Sequence, residues 1–128
     1  SEYLSAIQQG EEDGGKKNIP HKDLMIRIKN HILSAPNQSE HTLEKLAKRF
    51  GSNETMLKRG FKSLYNISVT EFVRYHVMVK SHLLLTTSKK NIDDIAVEVG
   101  YSWRPAFEGA FKKYFGYSPT DLRNDLNS

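Results

Sequence analysis

The stretch Gly100–Pro119, "GYSWRPAFEGAFKKYFGYSP", decides how the chain is read. It opens on a glycine, the residue through which a helix is most easily left in a left-handed turn. Phe107, Phe111 and Phe115 then recur every four residues and form an aromatic stripe along one helix face. Trp103, Arg104 and Pro105 stand in the first turn, and Lys112 and Lys113 flank the stripe. The stripe accounts for burial of one face only. A bulky aromatic, a guanidinium and a proline at the helix start need another explanation.

Working outward, the stretch has a counterpart earlier in the chain. "NIDDIAVEVGYS" (91–102) aligns with "TLEKLAKRFGS" (42–52), pairing Ile92 with Leu43, Ile95 with Leu46, Ala96 with Ala47 and Gly100 with Gly51. One extra residue enters at the turn. Beyond it Phe107 pairs with Leu57, Phe111-Lys112 with Phe61-Lys62, Phe115 with Tyr65, Ser118 with Ser68 and Thr120-Asp121-Leu122 with Thr70-Glu71-Phe72. The same three-helix unit occurs twice. Each copy has the requirements of a helix-turn-helix: a small residue (Ala47, Ala96) where two helices cross and a glycine (Gly51, Gly100) at the turn. A second helix follows, with an apolar face that returns to the core. One Ala-x-x-x-Gly alone is an ordinary helix end; two copies with matched apolar positions and basic second helices point to DNA binding.

The remaining pattern is helical. Leu24, Ile28, His31 and Ile32 recur at helical spacing until Pro36. Thr42 is placed to cap a short helix over 42–50, although Lys45 stands where a capping box would have Glu or Gln. Ser52 or Asn53 caps the next, Asn91 the one after the long helix from Thr70, and Ser102 the helix of the opening stretch. Ser118-Pro119 starts a last short helix with proline in its first turn. This predicts an all-α fold of seven helices without a sheet. The expected organisation is a first helix-turn-helix over 42–66, a linker helix over 70–87, a second helix-turn-helix over 91–116 and a final helix over 118–126. Tyr3, Leu4 and Ile7 read as the end of a preceding helix, and "GEEDGGKKNIP" (10–20) as a flexible linker. Residues 1–20 therefore read as the approach to a C-terminal module at 21–128.

Composition narrows the function. The chain of 128 residues is 38% hydrophobic and 27% charged, with no apolar run of membrane-spanning length and no secretory signal pattern. Zero cysteines exclude a disulfide frame, a thiolate zinc site and a thiol nucleophile. A cytoplasmic protein is the expectation. Residues 42–128 carry fourteen Lys or Arg against nine Asp or Glu, whereas residues 1–41 are near neutral. A localised positive excess suits a phosphate-bearing partner. The five histidines have no metal-ligand spacing, Asp93-Asp94 belongs to a helix first turn, and no phosphate-cradling glycine loop occurs. Neither an enzyme, nor a metal, nor a cofactor is expected.

At this point "NIDDIAVEVGYSWRPAFEGAFKKYFGYSPTDLR" resembles the signature of AraC/XylS-type bacterial transcription regulators. Its elements are Ile-x-x-Ile-Ala, Gly-aromatic, Phe-x-x-x-Phe-Lys-Lys, Gly-x-Ser-Pro and a closing Arg. "LEKLAKRFGSNETMLKRGFKSLYNIS" is similar to the more variable first helix-turn-helix of that family, and the likeness covers about residues 22–126. The resemblance implies two helix-turn-helix subdomains bridged by a linker helix, with two recognition helices in successive major grooves of double-stranded DNA. A bridge of some 16 residues spans roughly 24 Å, compatible with grooves about 34 Å apart. It also implies RNA polymerase as a partner, and a separate N-terminal domain that senses a signal or dimerises. Two departures stand out: Gly109 where the family often has Arg, and Pro105 where it often has a small polar residue.

The candidate base readers are Thr55, Lys58 and Arg59 in the first copy, and Trp103, Arg104 and Glu108 in the second. An arginine in the first turn of a recognition helix can donate to guanine O6 and N7, and a glutamate can accept from cytosine N4. Asn53, Glu54, Lys62, Ser102, Pro105, Lys112 and Lys113 are weaker candidates or phosphate contacts, which fix register without carrying sequence. Two alternatives remain open in the sequence: Trp103 folded back onto Tyr101 as core, and Arg104 facing an acid rather than a base. The phenylalanine stripe is expected in the core. The rival for the whole chain is a helical protein–protein module that keeps the fold and has lost DNA reading.

Overall fold

Thr42, Asn53 and Asn91 each sit in extended backbone immediately before a helix and accept a hydrogen bond from the amide three residues on. The donors are Lys45 N (3.2 Å), Met56 N (2.8 Å) and Asp94 N (2.7 Å). Each bond satisfies one of the orphan amides of a helix start. The computed structural model describes Ile7, Gln8, Glu11 and residues 21–127. The expected helix end and linker at 1–20 therefore lie, apart from those three residues, outside the described residues.

Among the described residues the chain runs through seven helices of a turn or more: α1 (Lys22–Ser34), α2 (Leu43–Arg49), α3 (Glu54–Tyr65), α4 (Val69–Thr87), α5 (Ile92–Glu98), α6 (Arg104–Phe115) and α7 (Pro119–Asn127). It divides into two compact units. The first holds α1, α2, α3 and α4 as far as Val73; the second holds residues 36–40, α4 from Arg74, and α5 to α7.

In the first unit Met25, Ile28 and Ile32 of α1 are fully buried, as are Leu57 and Phe61 of α3, with Leu46 and Tyr65 at about 1% exposure. Phe61 meets Tyr65 and Phe72 with ring centroids 4.8 and 5.2 Å apart. The chain entering the domain is anchored here. Ile7 is buried, and a Glu11 carboxylate oxygen accepts from Lys29 Nζ and from Tyr65 OH (2.8 Å). Burial and the Glu11 hydrogen bond push the Tyr65 hydroxyl far above its ordinary pKa. Burial also raises the Glu11 carboxyl, but Lys29, the Tyr65 hydroxyl and the charge of Lys22 outweigh it and hold it below the usual carboxylate range.

In the second unit Ile95, Val99, Phe107 and Phe111 are fully buried, with Ala96 at 1%. The stripe is not uniformly core, however. Phe115 is only half-buried, and it borders an open apolar hollow with Val79, His82, Leu83 and Thr86, whereas its counterpart Tyr65 is enclosed. The last helix starts with a reciprocal cap: Asp121 N donates to Ser118 Oγ (3.0 Å) and Ser118 N to Asp121 Oδ2 (3.3 Å).

The turn after the first helix of each copy has the same hydrogen bonds. Ser52 N donates to Ala47 O and Gly51 N to Lys48 O; Tyr101 N donates to Ala96 O and Gly100 N to Val97 O. This pattern closes a helix through a left-handed residue, and the glycines supply it with φ of 64° and 97°. Three residues before α4 and α7, Asn66 (φ 60°) and Gly116 (φ 86°) repeat the same conformation, consistent with asparagine's tolerance of it.

Candidate nucleic-acid interface

Helices α3 and α6 are the second helices of the two copies, and burial of one face fixes which residues face out. With Leu57 and Phe61 inward, Thr55, Lys58 and Arg59 are exposed on α3, as are Asn53 and Glu54 at its start. Asn53, Thr55 and Arg59 line one side of a shallow hollow of about 500 Å³ with His21, Met56, Gly60 and Ser63. Its wall therefore carries an amide, a hydroxyl and a guanidinium within two turns of one helix. Lys62, a turn further on, donates to the Asn66 carbonyl at 3.2 Å and so caps the C-terminal end of α3. That contact suits a cation at the negative end of the helix dipole.

On α6 the inward residues are Phe107 and Phe111, and Ser102, Pro105, Lys112 and Lys113 are exposed. Trp103 is 66% exposed, so the sole tryptophan does not fold back as core; the ring that packs on Phe107, at 5.6 Å, is Tyr101. Tyr101 is pushed upward in pKa by burial, with the charge of Arg74 acting against the shift. The expected Ser102 cap gives way to Trp103, which holds the N-cap position without any side-chain hydrogen bond. The reason is local. Pro105, second in the helix, has no N–H to cap, and the Ala106 amide already donates to the Trp103 carbonyl at 3.1 Å.

Arg104 is engaged by acids. Its Nε donates to Glu108 Oε1 at 2.8 Å and its Nη1 to Asp93 Oδ2 at 3.4 Å. The Glu108 bond, with the charges of Glu108 and Asp93, holds the guanidinium above its already high ordinary pKa against the opposing effect of burial. Of the six base candidates, three therefore come together on α3, and Trp103, Arg104 and Glu108 come together on α6 with two of them paired to each other. Asp93 joins that cluster from α5, eleven residues away, and no periodicity signals it. At Gly109 an added Cβ would meet nothing within 4 Å, so the position is a gap in the outward face where the first copy carries Arg59.

Among the described residues no group of three or more His, Asp or Glu is placed to hold a metal, and no helix is long and apolar enough to cross a membrane.

A family model described as a helix-turn-helix domain matches residues 46–125. The chain is 31% identical over 97 residues to the Msm operon regulatory protein of Streptococcus mutans, covering 76% of this chain and 35% of that protein. It thus spans about a third of that relative's length. Among solved structures, the C-terminal domain of AraT, a response regulator from Geobacillus stearothermophilus, superposes with a TM-score of 0.74 at 31% identity, covering 80% of this chain and 84% of that one. The DNA-binding domain of the global transcriptional factor AdpA, solved with a target DNA, shares the fold with a TM-score of 0.71 at 22% identity, covering 80% and 92% of the two chains. With the repeated turns, the matched second helices and these matches together, the chain belongs to the AraC-type helix-turn-helix domain family.

Proposed function

We propose that this chain binds double-stranded DNA in a sequence-specific manner as the output domain of a transcription regulator. The observation that carries the reading is the pair of matched helices, α3 and α6. Each buries one face and presents its N-terminal turns, with Thr55, Lys58 and Arg59 or Trp103 and Arg104, to solvent. Each recognition helix enters a major groove, where a helix of this width fits and base edges are distinguishable. Arg59 reads a base or anchors a phosphate beside it; Lys112 and Lys113 contact phosphates and set register. Trp103 packs on a sugar or a thymine methyl. The whole regulator works in the cytoplasm with RNA polymerase as its second partner, and any dimerisation resides in segments beyond this domain.

Binding to a DNA site should weaken steeply with salt, the logarithm of affinity falling by about 0.9 for each phosphate neutralised per tenfold rise in salt. Arg59→Ala should cost about 1–3 kcal/mol of site binding, while Lys90→Ala should cost much less, because Lys90 is paired with Glu98 in the turn before α5. Equal losses in the two variants would remove α3 from the interface. Salt-insensitive or absent DNA binding by the folded chain would favour the protein-interaction reading.

A further inference from the structure

The ion pairs around Arg104 have little to do with stability. Arg104 and Glu108 keep 38% and 32% of their side-chain surface exposed and Asp93 keeps 65%. Pairs so exposed contribute little to folding. What they fix is orientation. Arg104 is the first residue of α6, Glu108 lies one turn along the same helix, and Asp93 is the second residue of α5. The guanidinium is thus held from both helices of one helix-turn-helix. It has five N–H donors, of which Nε and one on Nη1 are committed. Both N–H groups of Nη2 and one of Nη1 remain, enough for the two acceptors of a guanine edge.

The charge balance points the same way. Two carboxylates face one guanidinium, with Asp94 beside Asp93, so the start of α6 is not a generic phosphate-seeking surface. Gly109 leaves α6 without the arginine that Arg59 supplies on α3. The first copy also reverses the charge order, with Glu54 and Lys58 at the positions of Arg104 and Glu108. The arrangement therefore belongs to the second recognition helix alone.

We propose that Asp93 is a positioning residue for DNA reading: together with Glu108 it fixes the Arg104 guanidinium so that its free edge selects guanine, and it suppresses non-specific attraction to phosphate. This rests on the reading of α6 as a recognition helix. Glu108 accordingly serves the arginine rather than a cytosine. A free arginine must be immobilised when it binds, and the two acids complete that ordering before DNA arrives.

The test uses the full chain and a duplex selected by it from a randomised pool, with single base-pair changes through the block assigned to α6. Arg104→Ala should abolish a guanine preference at one position; if it does not, the reading of α6 fails, independently of Asp93. Given that preference, Asp93→Ala should reduce it about three- to tenfold while non-specific affinity rises. Glu108→Gln, whose amide oxygen can still accept from Nε, should reduce it less. Asp94→Ala removes a neighbouring first-turn acid that does not bond Arg104 and should leave the preference in place, separating orientation from a general helix or charge effect. An unchanged guanine preference in Asp93→Ala, or an equal tightening toward every sequence, would overturn the proposal.

Discussion

Gly51 and Gly100 occupy the same position of the repeat, yet alanine at the two should have different consequences. Both are left-handed, so a side chain at either costs about 1–2 kcal/mol of backbone strain. At Gly51 an added Cβ meets nothing within 4 Å. At Gly100 it would lie 2.3 Å from Asn37 Oδ1, 2.7 Å from Gln38 N and 2.8 Å from Ser39 N. Relief requires residues 36–40 to move. That loses the Gln38 N–H bond to the Val99 carbonyl (2.7 Å) and disturbs the turn in which Asn37 Oδ1 accepts from the amides of Ser39 and Glu40 at 3.0 Å. With about 0.5–1.5 kcal/mol for each of the three bonds, Gly100→Ala should cost about 2.5–6.5 kcal/mol against about 1–2 for Gly51→Ala. Urea titrations followed by far-UV circular dichroism give the two values, and amide exchange should place the Gly100→Ala loss in α5. Removing Asn37 Oδ1 with Asn37→Ala should restore only part of it, because the two backbone nitrogens still obstruct. Equal costs at the two glycines would refute the reasoning.

Gly109→Ala adds a methyl group to an open helix position and should stabilise the chain by about 0.5–1 kcal/mol, seen as a rise in Tm. Gly60→Ala should gain less, since its Cβ would press on Met25 Cε at 3.1 Å and Sδ at 3.2 Å; a larger gain at Gly60 would contradict this packing. Burial, with the charges of Arg49 and His41, holds the His31 imidazole below its ordinary pKa of 6.5, and burial does the same for His76. On acidification the unfolded chain takes up these protons first, so the associated stability is present above 6.5 and is lost as pH falls from 6.5 through the folded-state values. The urea midpoint should decline over that window and decline less in His31→Gln; a midpoint that rises on acidification would exclude the account.

The repeat made the helices and their turns legible because each device is local. Thr42, Asn53 and Asn91 cap amides three residues away, and Gly51 and Gly100 close helices begun a few residues earlier. The exposed faces of α3 and α6 followed from the inward positions of Leu57, Phe61, Phe107 and Phe111. What the sequence hid is non-local or depends on competition between neighbours. Ser102 looked like a cap only while the missing Pro105 amide and the Trp103 carbonyl were left out of account. Phe115 shares its register with Phe107 and Phe111, but it lies at the helix end, where the apolar hollow is open. The pairing of Asp93 with Arg104, the docking of residues 37–39 beside Gly100, and the hold of Glu11 on Tyr65 join positions 11 to 63 residues apart. No spacing rule reaches that far.

The most direct test of two-helix DNA reading is selection of randomised duplex DNA by this chain at moderate salt, followed by sequencing of the retained pool. Two enriched blocks about ten base pairs apart are the predicted result, one lost in Arg59→Ala and the other altered in Arg104→Ala. A folded chain that enriches no sequence, or a single block indifferent to both substitutions, would contradict it.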